Sequence, residues 1–417
     1  MLDINFIRAN RQIVADDAQA KGIKVDIDGL LALDAKRREL IARTGQLRQQ
    51  RNELSATKGH KPTSEQITAS KSIKADLSKL ETELEALEQK QKPLAQQVPN
   101  LLHESVPRGE GESANQVVKT AGDKPKFDFE PKDHETLGLE LDLIDLATAA
   151  FTSGSRFYYL KNSAVTMEFA LVSWLLKKLT DKGFTPVTTP VLAKAHMLEA
   201  TGFFPADKND IYHVNPDDDD LYLIGTSEVT LAGLHMRRPL DKADLPKRYA
   251  GFSTCFRREA GSYGQDTKGI FRVHQFDKIE MYSYCHPDDS WTEHDFLLGV
   301  EEEILQELGL HYRVVNIGSG DLGAAAAKKY DCEVWMPAQG RFRELTSCSN
   351  TTDFQSRRGN IKFRDDDSKL RYAHTLNGTA MASTRTLAAI FENFQTDSGH
   401  VAVPEVIRPF MGGQKTI

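Results

Sequence analysis

Residues 255–284 read CFRREAGSYGQDTKGIFRVHQFDKIEMYSY, and the stretch is not built like an ordinary strand–turn–strand. Two apolar-flanked runs, STCFRR and IFRVHQFDKIEMY, bracket a loop that holds Gly261, Gly264 and Gly269. The runs predict two strands joined as a hairpin. Arg257 and Arg258 end the first run, so two guanidiniums aim at whatever lies over the sheet. Their planar forks suit phosphate oxygens and stay charged at any relevant pH. The glycines let the loop backbone approach a ligand or close over it. Glu280, deep in the second run, is unfavourable in a buried site unless it meets a cation, such as an ammonium. Phe276 falls on the same face by strand alternation and offers a stacking surface. Taken alone, the segment reads slightly better as an edge hairpin with surface ion pairs.

Working outward, three further segments shift that balance. LIGTSEVTL places Thr226, Ser227 and Glu228 directly after an apolar strand. FRELTSCSN supplies Glu344, Leu345, Thr346 and Ser347. LNGTAMASTRTLAAIFEN supplies Thr379, and then Arg385 on a helix whose Leu387, Ile390, Phe391 and Phe394 form an apolar stripe. Singly these are an N-cap, a strand-edge hydroxyl and a helix-surface arginine. Four such clusters in one region point to a site.

The surrounding pattern mixes helix and strand without strict alternation. Helices are expected near 165–182, 290–309 and 382–395, and strands at 183–194, 221–225, 248–257, 270–284 and 311–317. This favours an α+β fold, an antiparallel sheet flanked by helices, over a doubly wound parallel sheet. Gly318, Gly320 and Gly323 match a dinucleotide-type glycine pattern after a strand. The next apolar run, CEVWM, follows too closely to complete a βαβ unit, so they are read as a tight strand–helix turn.

The first hundred residues differ in kind. Leu33, Leu40, Leu47 and Leu54 recur every seven residues, and Ile73, Leu77, Leu80, Leu84, Leu87, Leu94 and Val98 follow in mostly threes and fours. A breaker with Gly59 and Pro62 lies between them. The pattern predicts an antiparallel helical coiled-coil hairpin at about 30–98, each arm about 40–55 Å long and projecting into solvent. From Lys36 to Lys61 there are eight basic residues against two acidic ones. Such an arm either mediates assembly or tracks a phosphate backbone through Arg37, Arg38, Arg43, Arg48 and Arg51; charge alone leaves the two even. Residues 103–127, rich in Gly, Pro and Ser, read as a linker between a 1–102 domain and a 128–417 catalytic domain.

Composition bounds the rest. The chain has 417 residues, 40% of them hydrophobic, and a net charge of −7, so a polyanion must be met by a local patch rather than by global charge. Cys255, Cys285, Cys332 and Cys348 show no CxxC pair and read as free thiols in a reducing compartment. No secretory signal or membrane span is seen, so a cytoplasmic protein without membrane contact is expected.

These motifs resemble the bacterial-type seryl-tRNA synthetase family of class II aminoacyl-tRNA synthetases over essentially the whole chain. FRREAGSYG…FRVHQFDKIE resembles the second class II motif in its seryl form, and LNGTAMASTRTLAAIFEN the third. GFTPVTTPVL, with Pro190 at its end, resembles the first, a dimer-interface element. The TSE triplet at 226–228, SGSRFYYL at 153–160 and the N-terminal hairpin are specific to the seryl family. The chain departs from it with NGTAMASTR where NGSGLAVGR is common, and with Gly225 where proline is frequent. The resemblance implies activation of L-serine by ATP with Mg²⁺, then transfer to tRNA(Ser), with tRNA(Sec) a further candidate acceptor, by a homodimer. It implies ATP contacts from Arg257, Arg258, Glu259, Val273, Phe276, Glu344, Leu345, Thr346, Ser347 and Arg385, with Arg257, Arg385 and Glu344 catalytic. Magnesium would be held through ATP, Glu344 and Ser347. Serine would be met by Thr226, Ser227, Glu228, Glu280 and Thr379, and the arm would bind tRNA. A carrier-loading paralogue would lack the arm, and a non-catalytic relative would have lost Arg257 and Arg385.

Overall fold

The computed structural model describes residues 2–55, 63–260 and 268–417. Gly59, Pro62, Lys58 and Lys61 of the breaker and Gly261 and Gly264 of the loop lie outside the described residues. The chain divides into two compact units, residues 1–101 and 102–417.

In the first unit, short helices Ile4–Ala9 and Arg11–Ala20 precede two long ones, α1 (Ile27–Ser55) and α2 (Ser64–Gln97). Their 29 and 34 residues correspond to about 44 and 51 Å at the helical rise. The start of α2 is fixed by a capping box, in which the Thr63 hydroxyl accepts from Gln66 N–H and the Gln66 side chain accepts from Thr63 N–H. Leu33, Leu40 and Leu47 interlock with Leu80, Leu84 and Leu87, the heptad seam read from the sequence. Thr44, at a seam position, is buried and turns its hydroxyl back onto the Leu40 carbonyl at 2.7 Å, which removes the need for a cross-helix partner. At the base, Leu30, Ala95 and Val98 pack with Leu2, Ile7 and Val14.

The second unit is built on an eight-stranded sheet. In chain order its strands are β1 (Gln116–Ala121), β2 (Thr185–Thr188), β3 (Lys247–Phe256), β4 (Gln275–Cys285), β5 (Tyr312–Asn316), β6 (Lys328–Met336), β7 (Arg341–Asn350) and β8 (His374–Ala382). Across the sheet they run β1-β5-β6-β7-β8-β4-β3-β2, antiparallel throughout except for the last pair, β3 and β2. Helices α3 (Asn162–Asp181), α4 (Ser290–Glu307) and α5 (Ser383–Asn393) cover it, and α5 is buried along almost its whole length. Leu171, Leu175, Leu297, Ile304, Leu387 and Phe391 join sheet residues such as Ile279 and Met281 in one core. Cys255, Cys285, Cys332 and Cys348 are free and buried, one each on β3, β4, β6 and β7. No described helix is long and apolar enough to cross a membrane.

Several local readings are corrected. The stretch read as linker carries β1, which pairs with β5 and belongs to the sheet. Its apolar pair Val117–Val118 is interrupted by a register shift, so strand periodicity is hidden. The strand expected at 183–194 is two, Thr185–Thr188 and Leu192–Ala193, which enter different sheets on either side of Pro190. Leu221–Leu223 belongs to the smaller of these, and residues 270–274 precede β4 without being strand. The 318–323 glycines form a single 3₁₀ turn, Ser319–Asp321, with no helix after it. A Cβ on Gly320 would stand 2.6 Å from Gly111 N and 2.7 Å from Gly109 O, so this glycine admits a neighbouring backbone rather than a phosphate.

Candidate functional site

A cleft opens where the sheet comes apart. Strands β7 and β8 pair only through Cys348–Asn350 against Leu376–Gly378 and then diverge. Each carries an irregularity at the fork: the β6–β7 register shifts between Thr346 and Glu344, and the β4–β8 register between Met381 and Thr379. Leu345 and Ala380 are the extra residues. A bulge resets alternation, so side chains three apart can share a face. Glu344 and Ser347 therefore both line the cleft, as do Thr379 and Ala382.

Of the residues expected at the nucleotide, Arg257, Glu259, Val273, Phe276, Glu344, Leu345, Ser347 and Arg385 converge on this cleft, and Thr379 joins them. Arg257 stands just past β3, where its N–H bonds the His274 carbonyl at 2.9 Å and closes the base of the hairpin. Its guanidinium carbon lies 5.3 Å from the Phe276 ring centroid, and its Nε donates to the Gly225 carbonyl at 3.3 Å. Arg385, in the first turn of α5, reaches Glu344 Oε2 at 3.2 Å. Burial pushes the Glu344 pKa up, but Arg385, Lys329 and Arg257 together hold it well below the usual carboxylate range. Its side chain keeps 44% exposure, so the charged carboxylate is presented to the cleft.

Two expected residues fall elsewhere. Thr346 is on the far side of β7, where its hydroxyl donates to Glu301 of α4 at 2.8 Å. Arg258 is exposed and outside the cleft lining, and its N–H is spent on the Asp210 carbonyl at 2.9 Å. Arg272, Phe271 and Lys278 line the cleft without having been singled out from sequence. Arg272 pairs with Glu259 at 2.7 Å, and Phe271 lies under both Arg343 and Arg385.

Next to these cations is a buried acidic cluster. Glu228 and Glu280 are both nearly inaccessible, and Thr379 stands opposite Glu280 across the β4–β8 ladder. Lys278 occupies the same face of β4 as Phe276 and Glu280. Its ammonium pairs with Glu280 and donates to Thr226 Oγ1 at 3.3 Å. Desolvation pushes the Glu280 pKa up to about 7; Lys278 opposes this and the neighbouring Glu228 adds to it. Burial likewise raises the Glu228 pKa against the pull of Gln355 and Lys278. Two carboxylates thus share one ammonium, an excess of negative charge that a second cation would relieve.

Glu228 is fixed from behind by Gln355, whose Nε2 donates to Glu228 Oε1 at 2.6 Å. Gln355 Oε1 accepts from Tyr282 and Thr375 at 2.7 and 2.9 Å, and Nε2 also donates to the Thr201 carbonyl at 3.2 Å. Ser227, by contrast, turns into the core, donating to the Gly251 carbonyl at 3.2 Å. Gly225 and Ala380, two of the departures noted above, are accommodated without strain. A Cβ at Gly225 would meet Arg257 Cγ at an ordinary 3.6 Å, and Ala380 is buried as the bulge residue.

On the arm, Arg37 and Arg48 are engaged across the hairpin by Glu88 (2.8 Å) and Glu81 (2.9 Å), and Arg38 by Asp34 (3.2 Å). Arg43 and Arg51 are exposed.

Comparison with known proteins agrees over the whole length. Residues 1–102 match the seryl-tRNA synthetase N-terminal domain, and residues 212–394 match the tRNA synthetase class II core domain (G, H, P, S and T). A serine–tRNA ligase from Nitrosopumilus maritimus is 43% identical over 423 residues, covering 100% of both chains. One from Borreliella burgdorferi is 45% identical over 420 residues, covering 99% of this chain and 98% of the relative. The crystal structure of seryl-tRNA synthetase from Pyrococcus horikoshii complexed with ATP superposes with a TM-score of 0.93 at 42% identity, covering 100% of this chain and 99% of that one. The cytoplasmic serine–tRNA ligase from Naegleria fowleri, in complex with AMP, gives 0.89 at 35% identity, covering 100% of this chain and 98% of that one.

Proposed function

The chain belongs to the seryl-tRNA synthetase family and is an ATP-dependent serine–tRNA ligase, and we propose the following division of labour among its residues. Activation is an in-line attack of the serine carboxylate on the α-phosphorus, with pyrophosphate leaving. Fixed cations and alignment supply the rate without a dedicated side-chain base. Arg257 neutralises the α-phosphate and Arg385 the γ-phosphate, while Phe276 lies under the adenine. Glu259, Arg272 and Val273 wall the nucleotide from the hairpin side. Glu344 and Ser347 suit Mg²⁺: an ionised carboxylate and a hydroxyl, both facing the cleft, are hard oxygen donors. When bound, Mg²⁺ would screen the phosphate oxygens.

Serine sits at Thr226, Glu228, Glu280 and Thr379. Its ammonium is the second cation that the Glu228–Glu280 pair accommodates, and its hydroxyl is bonded within the same cluster. The seryl group then passes to the 3′-terminal ribose of tRNA(Ser), which the α1–α2 arm holds through its exposed basic face. Exposed Phe151, Tyr159 and Phe169 support a homodimer formed beside α3. The cytoplasm, where the substrates meet, is the place of action.

The observation that carries this reading is the juxtaposition of Arg257 and Arg385 with a cluster of two carboxylates and one ammonium. ATP–pyrophosphate exchange across amino acids tests it. Serine is expected to support exchange, and alanine to be rejected by about 10⁴ or more, because its methyl leaves the hydroxyl's partners unpaired. Equal exchange with alanine would refute the pocket assignment.

A further inference from the structure

The far end of the glycine loop is held by a residue outside the cleft. Gly269 has φ +63°, and a Cβ there would lie 2.2 Å from His134 Nε2, so this glycine makes room for an imidazole rather than for a ligand. The next residue, Ile270, donates its N–H to that same Nε2 at 3.3 Å. On the other side of the ring, Nδ1 donates to Glu392 Oε1 at 2.8 Å. Glu392 lies on α5, two turns beyond Arg385. It also accepts from His134 N–H at 3.3 Å and from Ala338 N–H at 3.2 Å. Gln395 grips the Lys132 backbone from both sides, at 2.8 and 2.9 Å, and anchors the segment that carries His134. The His134 and Glu392 side chains are 4% and 0% exposed.

We propose that His134 is a positioning residue for the nucleotide, clamping the segment that returns from the loop to the helix that bears Arg385. The inference rests on the assignment of ATP to the cleft. Only a neutral imidazole, with one donor and one acceptor on opposite sides, meets both Glu392 and the Ile270 N–H. The residues that follow the clamp at once are Phe271, Arg272 and Val273, all on the cleft wall. Phe271 lies under Arg385, and Arg272 holds Glu259. Releasing Ile270 would therefore loosen the nucleotide wall and leave the amino-acid cluster, carried by β4, β8 and residues 226–228, in place.

The test is steady-state pyrophosphate exchange by the full-length protein with ATP and serine varied separately. His134→Ala is expected to raise the KM for ATP about 10- to 100-fold while the KM for serine stays within about twofold. His134→Gln, whose side-chain oxygen can accept from Ile270 N–H, is expected to recover part of the loss. Gly269→Ala, which pushes the loop foot away from an intact His134, should give the same ATP-selective defect and serves if His134→Ala does not fold. A folded variant with unchanged KM for ATP, or equal losses for both substrates, overturns the proposal. Arg385→Ala run in parallel separates the two claims: if it spares ATP use, the nucleotide assignment itself is wrong.

Discussion

The Arg385 guanidinium grips Glu344 at two points, 3.2 Å from the carboxylate and 3.2 Å from the backbone oxygen of the same residue. One arginine thus sets both the position and the charge of the carboxylate assigned to the metal. Arg385→Gln is expected to slow exchange by about 10²- to 10³-fold. It should also let the Glu344 pKa climb, because the cation that most strongly opposes the effect of burial is gone. The acid limb of the pH–rate profile then moves to higher pH in the variant. A profile that falls in rate without moving would separate the phosphate role proposed for Arg385 from any role in tuning Glu344.

Glu280 gives a pH dependence of the opposite sign. Its pKa rises on folding from an ordinary 4.5 to about 7, so between those values the folded protein holds a proton that the unfolded chain releases. Stability therefore falls as pH rises through that window. Glu280→Gln removes this slope. Between pH 5 and 8 the variant should gain on the wild type by on the order of 1–3 kcal/mol, measured by denaturant unfolding at each pH. Any constant offset from stranding Lys278 does not affect the comparison. Serine-dependent exchange should collapse in Glu280→Ala, and wild-type exchange there would remove Glu280 from the pocket.

Gln355→Leu tests the support of Glu228. It strips partners from Glu228, Tyr282 and Thr375 at once, all of them buried. The expected loss of stability is about 2–4 kcal/mol, with a raised KM for serine and an unchanged KM for ATP. A purely structural role would lower stability and leave the two KM values in their original ratio.

The arm can be removed without touching its base. Because Leu30, Ala95 and Val98 pack with Leu2, Ile7 and Val14, excision should run from about residue 36 to 91, closed by a short turn. Exchange is expected to persist while charging of tRNA(Ser) falls steeply. Charge reversal at the exposed Arg43 should weaken charging more than reversal at Arg37 or Arg48, which Glu88 and Glu81 already neutralise. Equal effects in a charging assay would argue against a phosphate-tracking face.

Much of this was legible in the residues, and the misses have physical causes. Heptad spacing is a strong periodic signal, so Leu33, Leu40, Leu47, Leu80, Leu84 and Leu87 were found where they pack. Lys278 is legible from the sequence, since strand alternation puts it between Phe276 and Glu280 on one face. Thr346 could not be separated from Ser347 by pattern, because the bulge at Leu345 reverses which of them faces the cleft. Gln355, Glu392 and His134 act through contacts across more than 100 residues of chain, and no local periodicity announces such partners. Strand β1 is hidden in the sequence for a related reason. It is exposed along its length, and an edge strand whose register shifts shows little alternation.

The four cysteines, spread one to a strand over β3, β4, β6 and β7, make the sheet its own recorder. All four thiols are buried, and burial also pushes their pKa values up, so alkylation is expected only when the backbone ladder opens. Alkylation followed cysteine by cysteine would therefore clock how often each strand swings open. Comparing the clocks of Cys255 and Cys348 with and without ligands would reveal which bank of the cleft the substrates quieten first.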